Sequence, residues 1–247
     1  MKLLACLTIR VFGLNPSNFK YSFSSFFIMI LISHRGAHKK FPENTFAAFE
    51  EAYKHGLRVF ETDVRLTKDK KAVLFHDPDL KRICNIQKNV RDLTLGEFER
   101  LDCKGCKLYS LEHFFQDFKG KVKFDLELKE ADSVEEVVKL IQKYRLENDV
   151  VISSYASAVP RKVRKLAPSI SLGQLGLSGH GAIFKARRTH TDIVIIPSMG
   201  LRWDHVLHAH ISHIDVWAWP VNSKEHFEKM KRIGVDGIIT DYPEALK

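Results

Sequence analysis

The sequence predicts an α/β fold, a (β/α)8 barrel with a short hairpin insertion after its second strand. Three observations predict it. The chain has 247 residues, 45% of them hydrophobic, enough for one closed barrel. Eight short apolar runs recur along it: "ILIS", "RVFETD", "KVKFDLEL", "DVVISS", "ISLGQL", "TDIVII", "HIDVWAW" and "VDGIIT". Helix-period segments such as "SVEEVVKLIQKYRL" and "KEHFEKMKRIG" lie between most of them. No GxGxxG or GxxxxGKS fingerprint follows any run, which puts a doubly wound open sheet second.

The first strand, "ILIS", stops at Ser33-His34-Arg35-Gly36, where an acid–base group, a cation and a hinge residue stand together. "TFAAFEEAYKHG" places Phe46, Phe49, Ala52 and Tyr53 at helical spacing, with Asn44 or Thr45 to cap its start and Gly56 to end it. "LRVFETDVRL" is the second strand. The link "TKDKK" to the next run, "AVLFHD", is too short for a parallel crossover. Those two runs therefore form a hairpin whose return arm brings His76 toward Glu61 and Asp63. Two residues apart in a strand, Glu61 and Asp63 share a face, and Asp125, Glu127 and Lys129 share one in the third strand.

Residues 1–28 read as a dispensable extension ahead of a single catalytic domain, 29–247, that functionally begins at Met29. Their first apolar run is broken by Arg10, and the second, Phe26 to Ile32, is far short of the ~20 residues that span a bilayer. Cleavage after that second run would remove the strand carrying His34, so neither an export signal nor a stable membrane anchor is expected. The net charge is +9, of which Lys2, Arg10 and Lys20 fall in the leader. The remaining excess is dispersed, without a basic block interleaved with aromatics. That pattern suits small anionic substrates and argues against nucleic acid. Four cysteines, Cys6, Cys84, Cys103 and Cys106, are too few and too irregular for a secreted disulfide scaffold, which favours a reducing, cytoplasmic compartment. The CxxC in "CKGC" reads as a plain loop.

Barrel active sites sit at the C-terminal ends of the strands. Glu61, Asp63 and Glu127 would converge there as three like charges, unfavourable unless a cation joins them. An all-oxygen set suits one hard divalent ion, Mg²⁺ or Ca²⁺, rather than zinc. Beside them stand His34-Arg35, His76-Asp77 and Lys129. Two acid–base groups, two cations and three metal ligands are what cleavage of a phosphate ester requires. A second histidine group, His205, His208, His210 and His213 in "DHVLHAHISH", resembles a transition-metal set but reads as a surface helix, because no cysteine or carboxylate constellation completes it.

"HRGAHKKFPENTFAAF", "ETDVRLTKDKKAVLFHD", "LELK", "WAWPVNS" and "GVDGIITDYPE" together resemble the glycerophosphodiester phosphodiesterase family, over residues 30 to 244. The resemblance implies metal-dependent hydrolysis of glycerophosphodiesters to glycerol 3-phosphate and an alcohol, within lipid and glycerol metabolism. By the same resemblance His34 and His76 are the catalytic histidines, Glu61, Asp63 and Glu127 the metal ligands, and Arg35 and Lys129 the phosphate-binding cations. Trp219 matches the aromatic that lines the pocket. Two departures stand out: Pro220 where the family has Thr, and a lean "LKRICNIQKNVRDLT" after the HD motif, where a substrate-selecting lid would be reduced. The alternatives are a sphingomyelinase D-like or lysophospholipase D-like enzyme on the same barrel, a phosphoinositide-cleaving relative, and a non-catalytic binding protein, which would lack one of the metal or histidine positions.

Overall fold

The computed structural model describes residues 29–246, so the 1–28 leader lies outside them. Strand β1 (Ile30–His34) and helix α1 (Phe46–Lys54) lead into a hairpin of β2 (Val59–Leu66) and β3 (Ala72–Leu74). An inserted segment follows, with α2 (Lys81–Cys84), α3 (Leu95–Glu99) and the small ribbon β4 (Asp102–Cys103) and β5 (Cys106–Lys107). The alternation then resumes with α4 (Leu111–Phe118), β6 (Lys123–Leu128), α5 (Val134–Tyr144), β7 (Val150–Ser154), α6 (Ala158–Leu166) and β8 (Ser171–Leu175). It ends with α7 (Gly179–Thr189), β9 (Ile193–Pro197), α8 (Trp203–Ile211), β10 (Asp215–Trp219), α9 (Lys224–Ile233) and β11 (Gly237–Thr240).

Strands β1, β2 and β6 to β11 pair in parallel, and β1 pairs with both β11 and β2, which closes the barrel. The hairpin arm β3 lies antiparallel on β2, with Val64 opposite Leu74. Closure follows from strands that are apolar on both faces. Ile32, Val151, Ile193, Ile195, Trp217 and Ile239 fill the inside, and the outer faces pack on helices. Outside β2, Phe60 stacks at 5.4 Å on Phe49 of α1, which meets Phe114 of α4 at 4.5 Å. With Phe60 fixed outward, the strand's period of two turns its neighbours Glu61 and Asp63 inward. Thr45 is the cap of α1, accepting the Ala48 N–H, while Asn44 is buried and used elsewhere.

The inserted segment is more than a lean loop. Leu80, Ile83, Val90, Leu93 and Phe98 form their own apolar cluster against Val73 and Phe75. Cys84 and Cys103 are joined by a disulfide, with Cα atoms 4.6 Å apart. The CxxC partners Cys103 and Cys106 face one another across the β4–β5 ribbon, yet Cys106 is free.

The turn after β1 fixes the mouth of the barrel. Arg35 and Gly36 both adopt left-handed backbone, at φ 53° and 80°. A Cβ on Gly36 would lie 2.5 Å from the backbone of Ala48, so only glycine lets this turn seat on α1. At Gly56 φ is 87° but nothing lies within 4 Å of a built Cβ. Gly56→Ala should therefore cost about 1 kcal/mol, the strain of the backbone alone, and Gly36→Ala roughly 2–4 kcal/mol. Urea denaturation compares the two; equal losses would mean the turn is not wedged against α1.

Candidate active site

The carboxylates predicted from the strands do meet. Asp63 of β2 is in register with Glu127 of β6, and oxygens of Glu61, Asp63 and Glu127 all lie within 4.8 Å of one another. All three residues are buried, Asp63 completely. Two cations come to them. The Nε of Arg35 lies 2.9 Å from Asp63 Oδ2, and the Nζ of Lys129 lies 2.7 Å from Asp63 Oδ1 and 2.5 Å from Glu127 Oε1. Asn44 adds a neutral donor, its amide 3.0 Å from Asp63 Oδ2, and the Thr62 hydroxyl steadies that amide at 2.8 Å.

Burial penalises every one of these charges, and the outcome differs by neighbour. Asp63 would be raised by burial, but Lys129 and Arg35 outweigh it and hold the carboxyl well below the usual range. Glu61 is pushed well above its ordinary value by burial and then by the charge of Asp63. Glu127 is raised for the same two reasons. Asp125, lower in the barrel, is pushed by burial up to about 7 although Ser153 donates to it at 2.7 Å. Three carboxylates against two cations leave one negative charge over, and the cluster itself offers only oxygen donors, with His34 Nε2 3.9 Å from Glu61 Oε2. That set fits a hard divalent cation and lacks the sulfur and nitrogen donors zinc favours.

Both predicted histidines reach the same cleft, which Arg35, Glu61, Glu127, Lys129, Tyr155 and Trp219 also line. His34 is anchored at Nδ1, which donates to Asp241 Oδ1 at 2.5 Å. Its Nε2 faces Glu61, 3.9 Å from Oε2, and the ring of Trp219 stands 6.2 Å from its own. Burial draws the His34 pKa below the ordinary imidazole value, against the raising effect of its bond to Asp241. His76 is held at Nδ1 by Asp77 Oδ1 at 2.7 Å. From there ion pairs run on: Asp77 to Arg82 at 2.5 Å, Arg82 to Glu43 at 2.7 Å, and Glu43 to Arg35 at 3.2 Å.

Comparison with known proteins decides what this constellation belongs to. The model of the glycerophosphoryl diester phosphodiesterase family matches residues 34–245. The chain belongs to this family. It is accordingly an enzyme, a phosphodiesterase of glycerophosphodiesters. A glycerophosphodiester phosphodiesterase from Caldanaerobacter subterraneus is 34% identical, over 88% of this chain and 96% of that relative. Lysophospholipase D GDPD1 of Rattus norvegicus is 27% identical, over 87% and 84%. Among solved structures, the glycerophosphodiester phosphodiesterase of Thermotoga maritima superposes with a TM-score of 0.76 at 27% identity, covering 87% and 96% of the two chains. An Oleispira antarctica phosphodiesterase, solved with its product sn-glycerol-3-phosphate, shares the fold with a TM-score of 0.83 at 22% identity, covering 88% and 94%.

Four residues of this phosphodiesterase site receive no site role in the sequence reading, although Asn44, Asn222 and Asp241 lie within its motifs. Asp241 follows β11 and orients His34, 207 positions away. Asn222 fixes Asp241, its Nδ2 donating at 2.7 Å and its Oδ1 accepting the Asp241 N–H at 2.9 Å. Asn44 and Arg82 act as described above. The available signals were those motifs and position, since Asp241 stands at a strand's C-terminal end, where barrel chemistry gathers. At the departure Pro220, the backbone carbonyl accepts from the Ser198 hydroxyl at 2.7 Å. The histidine group of "DHVLHAHISH" splits: His210 pairs with Asp236 at 2.8 Å and His205 Nδ1 accepts the Arg202 N–H at 3.3 Å, whereas Asp204 and His205 gather with His180 of α7, with ligand atoms within 4.8 Å of one another, a carboxylate grouping the sequence reading did not expect.

Replacing the carboxylate that orients His34 should separate its two contributions. Asp241→Asn is expected to cost roughly 10- to 100-fold in kcat on a glycerophosphodiester, the scale of a supporting bond behind a reacting group, with KM little changed. The Asp241 pKa is lowered to about 2: burial raises it, and the hydrogen bond and charge of His34 more than reverse that. Its stabilising effect is therefore complete above its unfolded pKa of about 4 and is lost as pH falls through the folded value. Urea midpoints of wild type and variant should converge as the solution is acidified toward that value; midpoints that stay parallel would contradict the His34–Asp241 pairing.

Proposed function

We propose that the enzyme cleaves glycerophosphodiesters to glycerol 3-phosphate and an alcohol through two-histidine acid–base catalysis assisted by one divalent cation, Mg²⁺ or Ca²⁺. The observation that carries this reading is the meeting of His34 and His76 in one cleft with Arg35, Lys129 and the buried carboxylates. Glu61, Asp63 and Glu127 are the residues that would hold the cation, which when bound would draw charge off the phosphoryl oxygens. Arg35 and Lys129 position the phosphodiester and disperse the charge that grows on it. His34 is the base. Its pKa, lowered chiefly by burial, leaves Nε2 free at neutral pH to take the proton of the attacking hydroxyl, the substrate's own glycerol hydroxyl or a water, as its oxygen bonds to phosphorus, while Asp241 holds the ring and stabilises the imidazolium that forms. His76 is the acid, held by Asp77 and more open to solvent, where the alcohol departs. Trp219 packs beside His34 and bounds the substrate's place in the cleft.

The metal assignment predicts that a chelator abolishes release of glycerol 3-phosphate, that Mg²⁺ or Ca²⁺ restores it, and that Glu61→Gln resists restoration. Full turnover in excess chelator would sink it.

The division between the histidines is read from leaving groups. Each of His34→Ala and His76→Ala should lose roughly 10²-fold or more on a natural diester. A nitrophenolate leaves without a proton, so His76→Ala should recover most of its loss on a nitrophenyl ester of glycerol phosphate while His34→Ala does not. Equal recovery by both, or by neither, contradicts these roles.

A further inference from the structure

Six large apolar side chains stand exposed within one stretch of the chain, at its fifth and sixth barrel units. Leu177, 80% exposed, and Met199, 87% exposed, lie on the loops after β8 and β9, at the strand ends that form the catalytic mouth. Trp203, Leu207 and Ile211 follow on α8 at intervals of four residues, 65%, 47% and 70% exposed. Such spacing makes one stripe, about 12 Å long, down a helix face. The opposite face of α8 is already committed to the core through Val206 and Ala209. A helix apolar on both sides is one whose outer side meets something other than water. Phe184 of α7 belongs to the same face. His180, one turn before it, touches His208 of α8 at 3.4 Å, so the two helices lie side by side there.

The charge on this face points to the kind of partner. Between Leu177 and His213 the acids are Asp192 and Asp204, and both are answered: Asp192 by Arg164 at 3.2 Å, Asp204 by Arg202 at 2.6 Å. Lys185, Arg187 and Arg188 form no ion pair among the described residues, and the Arg188 guanidinium lies 5.7 Å from the ring of Phe184. Two copies joined face to face would set these cations against themselves. An anionic phospholipid surface would accept them, and its interface is where Trp, Met and Leu beside Lys and Arg are stable. No helix among the described residues is long and apolar enough to cross a membrane, so the contact is peripheral.

We infer that the α7–α8 face, with the loops after β8 and β9, docks this enzyme on anionic phospholipid bilayers and sets the catalytic mouth beside the lipid surface. Binding through this face does not require the chemistry proposed above, so vesicle binding and turnover can fail separately.

The full chain is tested by cosedimentation with vesicles of phosphatidylcholine, with and without phosphatidylglycerol. Binding is expected with the anionic lipid and much weaker without it. Lipid brominated in its acyl chains should quench the emission of Trp203, the exposed indole, and Trp203→Phe should remove that quenched signal. Met199→Ser with Trp203→Ser, and separately Arg187→Glu with Arg188→Glu, should each weaken binding by roughly tenfold or more. Thermal midpoint and turnover of a soluble glycerophosphodiester should stay at wild-type values in both, which shows that the fold is intact. Wild-type binding by both double variants overturns the inference, because the contact would then lie elsewhere, the 1–28 leader included. Absence of binding to anionic vesicles also overturns it. So does a wild-type dimer that ignores vesicles and that Leu207→Ser with Ile211→Ser splits, since the face would then join two copies.

Discussion

The site depends on burying three carboxylates within one cluster. Two like charges about 4 Å apart repel by roughly 4 kcal/mol at an effective dielectric of 20, and the whole stability of a domain is about 5–15 kcal/mol. Such a cluster survives only where cations are delivered to it. Arg35 and Lys129 are those cations, converging on the fully buried Asp63 from the ends of different strands. Lys129 comes with β6, two residues beyond Glu127, and Arg35 comes through a left-handed turn that a straight continuation of β1 could not make. The cations leave one carboxylate in excess, and the Glu61 carboxyl is raised well above its ordinary value by burial and by the charge of Asp63.

Because the cations are shared, the two histidines are not independent of the cluster. Arg35 pairs with Asp63 on one side and Glu43 on the other, and Glu43 leads through Arg82 and Asp77 to His76. His34 is fixed from the opposite side of the mouth by Asp241 and Asn222. Each imidazole therefore has its Nδ1 occupied by a carboxylate, which sets the tautomer. The inserted segment supports the His76 side, since Arg82 lies on α2, the same short helix that the Cys84–Cys103 bridge pins to the β4–β5 ribbon.

The rim around this chemistry is divided between unlike surfaces. After the second strand it carries the inserted segment, with its own apolar cluster and ion pairs. After the fifth and sixth strands it carries exposed Leu177 and Met199 and the outward stripe of α8. The first surface holds His76 in place through Asp77 and Arg82. The second leaves large apolar side chains in water next to the cleft, a cost that a partner at that edge would remove.

What the sequence determined by itself was whatever depends on local periodicity. Alternation in "VFETDV" turns Glu61 and Asp63 to the face opposite Phe60, and alternation in "KFDLELK" aligns Glu127 with Lys129; both patterns survive in any barrel built from these strands. The strand count and the hairpin were legible for the same reason, since apolar runs and connection lengths are properties of neighbours in the chain. Only the tertiary structure decided the partners that closure brings together from distant segments. Asp241 meets His34 because β11 lies beside β1, and Asn44, which reads locally as a helix cap, is turned at φ 59° to hold Asp63 instead. The cysteines show the same limit: the CxxC spacing is local, while the bond joins Cys84 to Cys103 because the inserted segment folds around its own core. Periodicity assigns a residue to a face, but it holds no information on which remote residue will stand opposite.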